Sequence, residues 1–530
     1  MVVESAKTLR AYIKKEVEGK LLSLKVDSTT KSGTPYFGIN IQFSKGGVTQ
    51  LRTLAIKELF VRQTAENLKN EIMEALNTFG IEVSNIISFT CDNGANMLRA
   101  ADLLKEAQNE ESALCDEEQD DIELFLPCPE EDGRQILTSV KCAAHTLQLA
   151  VMDDSLRKSE DDLNTLIKAR DSVKQLRTET HRKKLKRLFH PIPILDNATR
   201  WNTSYNMLMS LKRVQKFIQD EELMNLQEWE SIEELLRTLE PAMIATKALQ
   251  AEDLTLGDMY GIWLECKMKL KKVNLPLAQK IEANMSNRER RQTYARSSSH
   301  AGEEKSPALF DYPGFLATIF LDPRYFACLE DNEVASAKLY LRKLWVRLEK
   351  KKTAENQNDQ EDSGATDQDE EADDIEVMLR ARDAERTTAA GACRIEISGQ
   401  MDSYYRDTPR IKDRKVSILK WWENQKIVWP ELYELATIMH AIPATQVSVE
   451  RLFSGLRFIM HYLRTGLSSS MIQDLVLIHS NSNLVKEDIL LAMENISPSD
   501  DELSVEEMDV DRPSGSRSSS SLNISSSDDA

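Results

Sequence analysis

The N-terminal part of this 530-residue chain alternates between strand and helix patterns in an order that points to one fold class. Four segments have the apolar content or the two-residue alternation of strands: 21–26, 37–43, the segment from Val48, and 85–91. Residues 6–18 and 64–79 instead space their apolar side chains as amphipathic helices do. Residues 136–140 could add a fifth strand. Three successive strands followed by a helix and another strand predict an α/β fold.

Two acidic residues directly follow predicted strands. Asp27 comes after residues 21–26, and Asp92 comes after residues 85–91. If these strands are neighbours in one sheet, both carboxylates converge at its edge, where hard oxygen ligands suit Mg²⁺ or Mn²⁺. A pair of such ions stabilises the attacking and leaving oxygens in phosphodiester cleavage. The alternative is that both acids cap helices, and the pattern alone favours it, above all for Asp92 ahead of Gly94.

The net charge of −19 is concentrated in three segments. Residues 109–133 and 353–376 each carry −11, and the tail 500–530 carries −7. Together these segments carry −29, which leaves +10 on the rest of the chain. Each segment is also rich in small polar residues, so we expect a solvated acidic loop, an acidic disordered linker and a disordered tail. Because the rest of the chain is mildly basic, binding to nucleic acid remains compatible with the composition.

The seven cysteines and the lengths of the apolar runs argue against several classes of protein. No CxxC pair occurs, so we expect no structural zinc. No run of eighteen apolar residues occurs, and residues 1–5 lack a basic flank, so we expect neither a membrane-spanning nor a secreted protein. An odd number of cysteines then indicates reduced thiols in an intracellular protein.

The chain from Trp201 to about Trp345 has a mainly helical pattern, with long helices predicted at 227–250 and 256–274. We expect ordered sequence to resume near Ile418. The predicted organisation is an N-terminal helix at 1–20, an α/β core at 21–200 with an acidic loop at 109–133, a helical insertion at 201–352, an acidic linker at 353–376, a linker and helix at 377–426, a segment completing the core at 427–483, and a Ser- and Asp-rich tail at 484–530.

Six short motifs occur in one order along the chain, and together they resemble the hAT superfamily of DNA transposases. They begin at Thr90 (TCDNGANM), Lys141 (KCAAHTLQL), Thr199 (TRWN), Leu321 (LDPRY), Trp429 (WPEL) and Ala444 (ATQVSVERLFS). The resemblance extends from about Leu21 to Asn483. Any one motif is a weak signal, but six in the right order are highly specific.

The resemblance implies an RNase H-like core, a mixed five-stranded sheet with flanking helices, interrupted by a large all-helical insertion. It also implies an Asp-Asp-Glu triad, and Asp27, Asp92 and Glu450 stand at the three matching positions. These acids would bind Mg²⁺ or Mn²⁺ if the protein cleaves DNA. The insertion would account for the 358 residues that separate Asp92 from Glu450.

Four further residues have DNA-binding roles by the same resemblance. Cys142 and His145 form a CxxH pair that the family places near the active site, although a His at a helix start is commonly held by its neighbours. Arg200 would contact phosphate. The Trp201 ring would stack on a flipped base, a contact worth about 1–3 kcal/mol. The alternative for Trp201 is an ordinary core position.

Residues 181–187 (HRKKLKR) form a basic cluster. Such a cluster could be a solvated helix face, a nuclear localisation signal or a phosphate contact. The solvated face is the default interpretation, although a DNA-acting protein of a eukaryote must reach the nucleus.

Residues 427–483 resemble the hAT C-terminal dimerisation region. Apolar side chains recur there at three- and four-residue spacing: Trp429, Leu432, Leu435, Ile438, Leu452, Phe453 and Leu456. An ordinary pair of core helices is the alternative, and both roles are compatible. We expect Phe453 and Leu456 to be exposed members of a contact between subunits.

Active members of the superfamily carry a zinc-binding BED finger ahead of the core, and we expect none here because Asp27 lies near the start. The main hypothesis is a hAT-type transposase or transposase-derived protein of the nucleus, with homodimerisation and weak, sequence-indifferent DNA binding. The alternative is a domesticated or degenerate nuclear regulator that dimerises without catalysis and keeps the triad as a relic.

Overall fold

A mixed five-stranded sheet in the spatial order β3-β2-β1-β4-β5 organises the computed structural model. The strands are β1 Leu22–Lys31, β2 Thr34–Lys45, β3 Val48–Glu58, β4 Ile86–Cys91 and β5 Thr138–Lys141. β1, β2 and β3 pair antiparallel, whereas β1, β4 and β5 pair parallel. The α/β fold class and the five strands predicted from the sequence are confirmed.

The structure describes residues 2–31, 33–116, 136–197, 200–289, 309–310, 312–362, 397–459 and 467–484. All but the last two of these residues belong to one compact unit, Met1–Ser482, and a second unit comprises Asn483–Ala530. Most of the predicted acidic loop and linker, and the tail from residue 485 on, lie outside the described residues.

β1 extends beyond the apolar residues 21–26 from which the strand was predicted. The prediction that this strand ends at Asp27 is wrong, because β1 continues to Lys31 and pairs with β2 over that whole length. The connecting turn contains Gly33 with a φ of 84°, a conformation that glycine adopts without steric cost. A tight hairpin keeps its strands paired up to the turn, so polar side chains near the turn remain in the sheet. Asp27 therefore lies inside a strand, opposite Gly38.

The two faces of the sheet differ in chemistry, yet both are buried near β1. One face is apolar, with Leu22, Leu24 and Val26 fully buried. The other face is polar on β1, β2 and β4, and it carries Ser23, Lys25, Asp27, Asn40, Gln42, Ser88 and Thr90. Residues 441–459 cover this polar face, where Gln42 Nε2 donates to Ala441 O and Thr90 Oγ1 donates to Pro443 O, both at 2.9 Å.

Helices account for most of the remaining described chain. They are α1 Val2–Val17, α2 Ala65–Thr78, α3 Ala95–Asp116, α4 Ala143–Gln148, α5 Glu160–Leu176, α6 Glu179–Arg187, α7 Trp201–Lys212, α8 Gln215–Asp220, α9 Leu226–Ala248, α10 Leu256–Val273, α11 Pro276–Glu289, α12 Pro313–Phe320, α13 Asp331–Asp362, α14 Ile397–Asp407, α15 Ile418–Gln425, α16 Pro430–His440, α17 Val447–Ile459 and α18 Ser469–Ser480. The helices predicted at 6–18, 64–79, 227–250 and 256–274 are confirmed within a few residues. Within the described ranges, no helix has both the length and the apolar character needed to cross a membrane.

The long helices of the predicted insertion begin at local sequence signals. Asn225 and Glu228 form a capping box at the start of α9, and Thr255 and Asp258 form another at the start of α10. In each box a side chain satisfies a backbone N–H group that the first helical turn leaves unpaired. These helix starts are therefore determined locally.

Two expectations about the region between residues 353 and 418 are wrong. α13 continues to Asp362, into the predicted disordered linker, because residues 350–361 contain good helix formers and neither Gly nor Pro. Order is present well before Ile418, because α14 begins at Ile397 and its Met401 and Tyr404 are fully buried. The burial of these two side chains stabilises a helix that its own sequence pattern did not reveal.

Candidate active site

Asp27 lies on the polar face of β1 and is half-buried. Ser28 N donates to Asp27 Oδ1 at 2.9 Å, and the Gln446 side chain also hydrogen-bonds to Asp27. Across the strand pair, a Cβ atom at Gly38 would lie 2.5 Å from Val449 Cγ1, which is closer than real Cβ contacts. The missing side chain at Gly38 therefore lets α17 pack against the sheet beside Asp27.

Asp92 follows β4, the parallel neighbour of β1. Lys25 pairs with Thr90, so Asp27 and Asp92 each come two residues after an aligned pair. Asp92 Oδ1 accepts a hydrogen bond from Gly94 N at 2.9 Å just before α3. This bond closes a turn ahead of α3 and does not cap the helix, which begins at Ala95, and it uses only one oxygen of the carboxylate.

Glu450 lies in the first turn of α17 and is exposed. The segment before α17 crosses the ends of the strands: Pro443 O accepts from Thr90 of β4, and Ala444 O accepts from Ala143 N at 3.0 Å. Lys31 Nζ donates to Phe453 O at 2.6 Å and joins the end of β1 to α17. These contacts bring Glu450 to the sheet although it lies 358 positions after Asp92 in the sequence.

The three acids interact electrostatically. Burial and, to a smaller extent, the negative charges of Asp92 and Glu450 together raise the pKa of Asp27 to about 7, against hydrogen bonds from Ser28 and Gln446 that lower it. The two neighbouring acids thus disfavour ionisation of Asp27. Asp27 is therefore the residue on which the charges of both other acids act.

Several buried oxygen atoms close to the acids in sequence are of the kind that a hard cation prefers, although the acids themselves do not form a metal-binding group. Among the described residues, no group of three or more His, Cys, Asp or Glu side chains is placed to hold a metal ion. Coulomb interactions extend well beyond metal–oxygen bonds of about 2.0–2.6 Å. The charges of Asp92 and Glu450 can therefore act on Asp27 even though the three acids do not form such a group. Asn93 Oδ1, Gln446 Oε1 and Ser448 Oγ are buried near the acids along the chain and accept no hydrogen bond within the described structure. These unpaired oxygens are ligands that Mg²⁺ or Mn²⁺ would accept.

The CxxH pair forms the start of α4. Cys142 N donates to Cys91 O at 2.9 Å, and the buried Cys142 sulfur accepts a hydrogen bond from the backbone of His145. Burial raises the pKa of Cys142 to about 12, and the nearby Glu450 carboxylate also raises it, so the thiol stays protonated at neutral pH. The alternative of a helix-start pair held by its neighbours describes the observed contacts, and a DNA-binding role for either residue stays a prediction.

Trp201 and Arg200 differ in accessibility. Trp201 is only 1% exposed and belongs to the large hydrophobic core, so its ring is not available to stack on a base in this structure. The expectation of a stacking Trp201 is wrong here because α7 turns the ring inward, and the core alternative is correct. Arg200 is exposed just before α7 and remains accessible to phosphate.

The residues predicted for dimerisation are mostly core residues of the same chain. Five are buried, namely Leu432, Leu435, Leu452, Phe453 and Leu456, and two, Trp429 and Ile438, are partly buried. The expectation that Phe453 and Leu456 are exposed is wrong, because α17 packs them with Val449 against Tyr36 of β2 and Ile56 of β3. As placed here, these side chains stabilise the fold of one chain.

The sequence analysis missed three residues of the site: Gly38, Lys25 and Gln446. Lys25 is buried on the same face as Asp27, and burial lowers the pKa of its ammonium group to about 8. The two-residue period of β1 would have placed Lys25 beside Asp27. No local pattern could have found Gln446, because its role depends on a contact with a distant strand.

Comparison with known proteins identifies two regions of the chain. The family model of the hAT family C-terminal dimerisation region matches residues 400–482, and that of the ZBED1 RNase-like helical domain matches residues 140–239. The dimerisation region thus begins before the predicted residue 427.

Two curated relatives are similar to part of the chain. Zinc finger BED domain-containing protein 4 of Homo sapiens is 24% identical over 334 residues, which cover 60% of this chain and 27% of that protein. "Putative transcriptional regulator tpeD" of Talaromyces stipitatus is 23% identical over 336 residues, which cover 60% of this chain and 36% of that protein. The matched part of the chain therefore spans about a quarter of the first relative and about a third of the second. The two matched regions occur in the order that the motifs predicted, and they confirm the resemblance to the hAT superfamily for these parts of the chain.

Proposed function

We propose that this chain is a hAT-type transposase or transposase-derived protein whose sheet is an RNase H-like core. Asp27, Asp92 and Glu450 would form its triad and hold Mg²⁺ or Mn²⁺ for DNA cleavage and strand transfer. The observation that carries this proposal is the electrostatic interaction of Asp27 with Asp92 and Glu450. The three acids come from three separate segments of the chain. The bound ions would stabilise the attacking and leaving oxygens of the phosphodiester.

The proposal includes a nuclear homodimer that binds DNA weakly. The hAT C-terminal dimerisation region at 400–482 supports self-association. Exposed basic residues such as Arg200 support phosphate contacts, which are salt-sensitive and carry no sequence information. One relative is named as a transcriptional regulator, which supports a nuclear location.

A second candidate function is a dimerising nuclear regulator without catalysis. One observation favours it: within the described residues, the acids do not form a group that could hold a metal ion. The relative named as a transcriptional regulator agrees with this candidate. Metal binding by the triad separates the two functions.

The test is calorimetric titration of Mn²⁺ into the purified full chain, with plasmid nicking measured in parallel. We expect Asp27→Asn and Glu450→Gln each to weaken Mn²⁺ binding by about tenfold or more, since even outer-shell changes at metal sites cost roughly that much. Glu230→Gln is the matched control, because Glu230 is an exposed acid on α9. Nicking should require Mn²⁺ and be lost in both triad variants.

Equal Mn²⁺ affinity in the wild type and in both triad variants would contradict the proposed metal site. Metal binding without nicking would instead favour the regulator. Circular dichroism of each variant distinguishes loss of the site from loss of the fold.

A further inference from the structure

The basic cluster of residues 181–187 forms helix α6, with one buried side chain, Leu185. Its five Lys and Arg side chains are all exposed. Lys183 pairs with Glu179 at 2.8 Å and Lys184 pairs with Glu221 at 2.6 Å. The other three, Arg182, Lys186 and Arg187, have no acidic partner among the described residues. α6 therefore presents an uncompensated positive charge to solvent.

The loop that follows α6 exposes apolar side chains beside this charge: Leu188, Phe189, Ile194 and Leu195. Phe189 is 96% exposed and has a φ of 55°. Glycine or asparagine usually occupies this left-handed position at a helix end, since a side chain with a Cβ is strained there. A large aromatic residue is thus held in solvent at a position where turn geometry favours a smaller one. Such an outlier is a reason to look for a function.

The loop is firmly attached at its base. His190 N donates to Leu185 O at 2.9 Å, and Ile194 N donates to Ser210 Oγ at 3.1 Å. Arg177 Nη1 donates to Pro193 O at 3.0 Å. Asp196, at the end of the loop, pairs with Arg170 of α5 at 2.9 Å. The exposed ring therefore stands on an anchored loop, which lowers the conformational entropy lost when it binds a partner.

The positive charge of α6 indicates what kind of partner this surface would bind. The central part of a protein–protein interface is poor in charged residues, whereas this apolar loop adjoins uncompensated Lys and Arg side chains. Basic residues next to an exposed aromatic ring are the combination that binds single-stranded nucleic acid, with phosphates on the cations and a base on the ring. A fully paired duplex offers phosphates but few free base faces.

We propose that α6 and residues 188–195 form a binding surface for unpaired DNA, in which Phe189 stacks on a base and Arg182, Lys186 and Arg187 bind the flanking phosphates. The inference rests on the proposed function as a DNA-processing protein, and it names the form of DNA bound. It assigns to Phe189 the stacking that the buried Trp201 cannot provide in this structure.

The test is fluorescence anisotropy of the full chain with three labelled DNA probes: a single strand, a blunt duplex, and a duplex with a single-stranded overhang. The assay contains EDTA, so it is independent of metal and cleavage. We expect Phe189→Ala to weaken binding of the single strand and the overhang by roughly tenfold, the scale of one lost stacking contact, and to leave the blunt duplex unchanged. Phe189→Trp should retain binding. Phe60→Ala is the matched control, because Phe60 is 80% exposed elsewhere on the chain.

Substitution of the basic residues should have a different effect from substitution of Phe189. We expect Arg182→Gln and Lys186→Gln to weaken binding of all three probes, each lowering the slope of log affinity against log salt by about one phosphate contact. Lys7→Gln, an exposed lysine on α1, should change neither quantity.

Undiminished binding of the single strand by Phe189→Ala, or an equal loss with Phe60→Ala, would overturn the proposal. A change in sedimentation with Phe189→Ala would also overturn it, because the loop would then contact a second copy of the chain. Because the anisotropy assay contains EDTA, its outcome does not depend on whether the wild type cleaves DNA. Failure of the proposed catalysis and failure of this surface are therefore distinguishable.

Discussion

Gly38 shows how a single residue positions the candidate site. Its missing side chain admits Val449, Leu452 and Phe453 of α17 to the strand pair that carries Asp27. The same helix carries Glu450, so the distance between two acids of the proposed triad depends on a glycine that has no chemistry of its own. The backbone at Gly38 has an ordinary conformation, and close approach alone explains the glycine.

We predict that Gly38→Ala lowers the free energy of unfolding by about 1–3 kcal/mol, the usual cost of overpacking a core. The added Cβ would lie 2.5 Å from Val449 Cγ1 and force α17 away from β2. Val449→Ala removes that atom, so a double-mutant cycle by urea unfolding should show a coupling of at least about 0.5 kcal/mol. Additive effects of the two substitutions would contradict this account.

Several helices meet at one buried arginine, Arg324. Its guanidinium donates to Asp322 at 2.7 Å and to Asp258 of α10 at 2.7 Å, and it also donates to the carbonyl groups of Arg414 and Val416. Leu321 O accepts from Trp422 of α15 at 2.8 Å. The motif that begins at Leu321 therefore joins the helical insertion to the helices that lead back to the sheet.

We predict that Arg324→Met lowers the free energy of unfolding by about 3–5 kcal/mol, because it leaves the fully buried Asp322 without its partner. Arg237→Met is the control, since Arg237 is exposed and its nearest acid lies 3.9 Å away. That control should change stability by at most about 0.5 kcal/mol. Urea midpoints measure both, and similar midpoints for the two variants would refute the structural role of Arg324.

The ion pair of Asp196 with Arg170 should make the anchoring of the α6 loop depend on pH. Burial alone would raise the pKa of Asp196, but hydrogen bonds from Arg170 and Ser204 and the Arg170 charge lower it below its ordinary value. A lowered pKa stabilises the folded state above the unfolded value of about 3.9, and this stability is lost as the pH falls through the folded value. We predict that Asp196→Asn lowers the thermal midpoint at pH 7 and that the difference shrinks toward pH 3. A constant difference across this range would contradict an ionised pair.

At the scale of the whole molecule, self-association needs an exposed apolar surface in the matched dimerisation region. Most of the residues predicted to form the contact between subunits are instead buried in the core of their own chain. Among the described residues of 400–482, the large apolar side chains that remain exposed are Ile427 and Val428, just before α16. We infer that these two residues are the better candidates for a contact between subunits.

We predict that the wild-type chain sediments as a dimer or larger species at micromolar concentration and that Ile427→Asp shifts it to monomer. Ile427 is 95% exposed, so the substitution should not unfold the chain, but it would bury an unpaired carboxylate at an interface. Val48→Asp is the control, because Val48 is 45% exposed and lies outside the matched region. A monomeric wild type, or dimers of both variants, would exclude this contact.

Much of the fold was predictable because it depends on short-range order. The two-residue period of residues 37–43 and the apolar spacing of residues 64–79 express the geometry of a strand and a helix within each segment. Asp92 and Glu450 were predicted as site residues from motifs, and Asp27 from its place directly after a strand pattern, and neither signal requires knowledge of packing. The positions of Phe453 and Trp201 were not predictable in the same way, since an apolar side chain in a helix can face a core, a partner chain or a ligand.

The existence and order of the strands, the helices with strong caps, and the motifs that resemble the hAT superfamily could all be recognised in the sequence. Which surfaces remain exposed depends on tertiary packing. Residues 441–459 return after a long insertion to cover the polar face of β1, so Lys25 is buried and the charge of Glu450 contributes to the raised pKa of Asp27. Trp201 turns into the core while Phe189 stays in solvent. The physical reason is that periodicity is a property of neighbouring residues, whereas burial depends on which distant segment packs on each face.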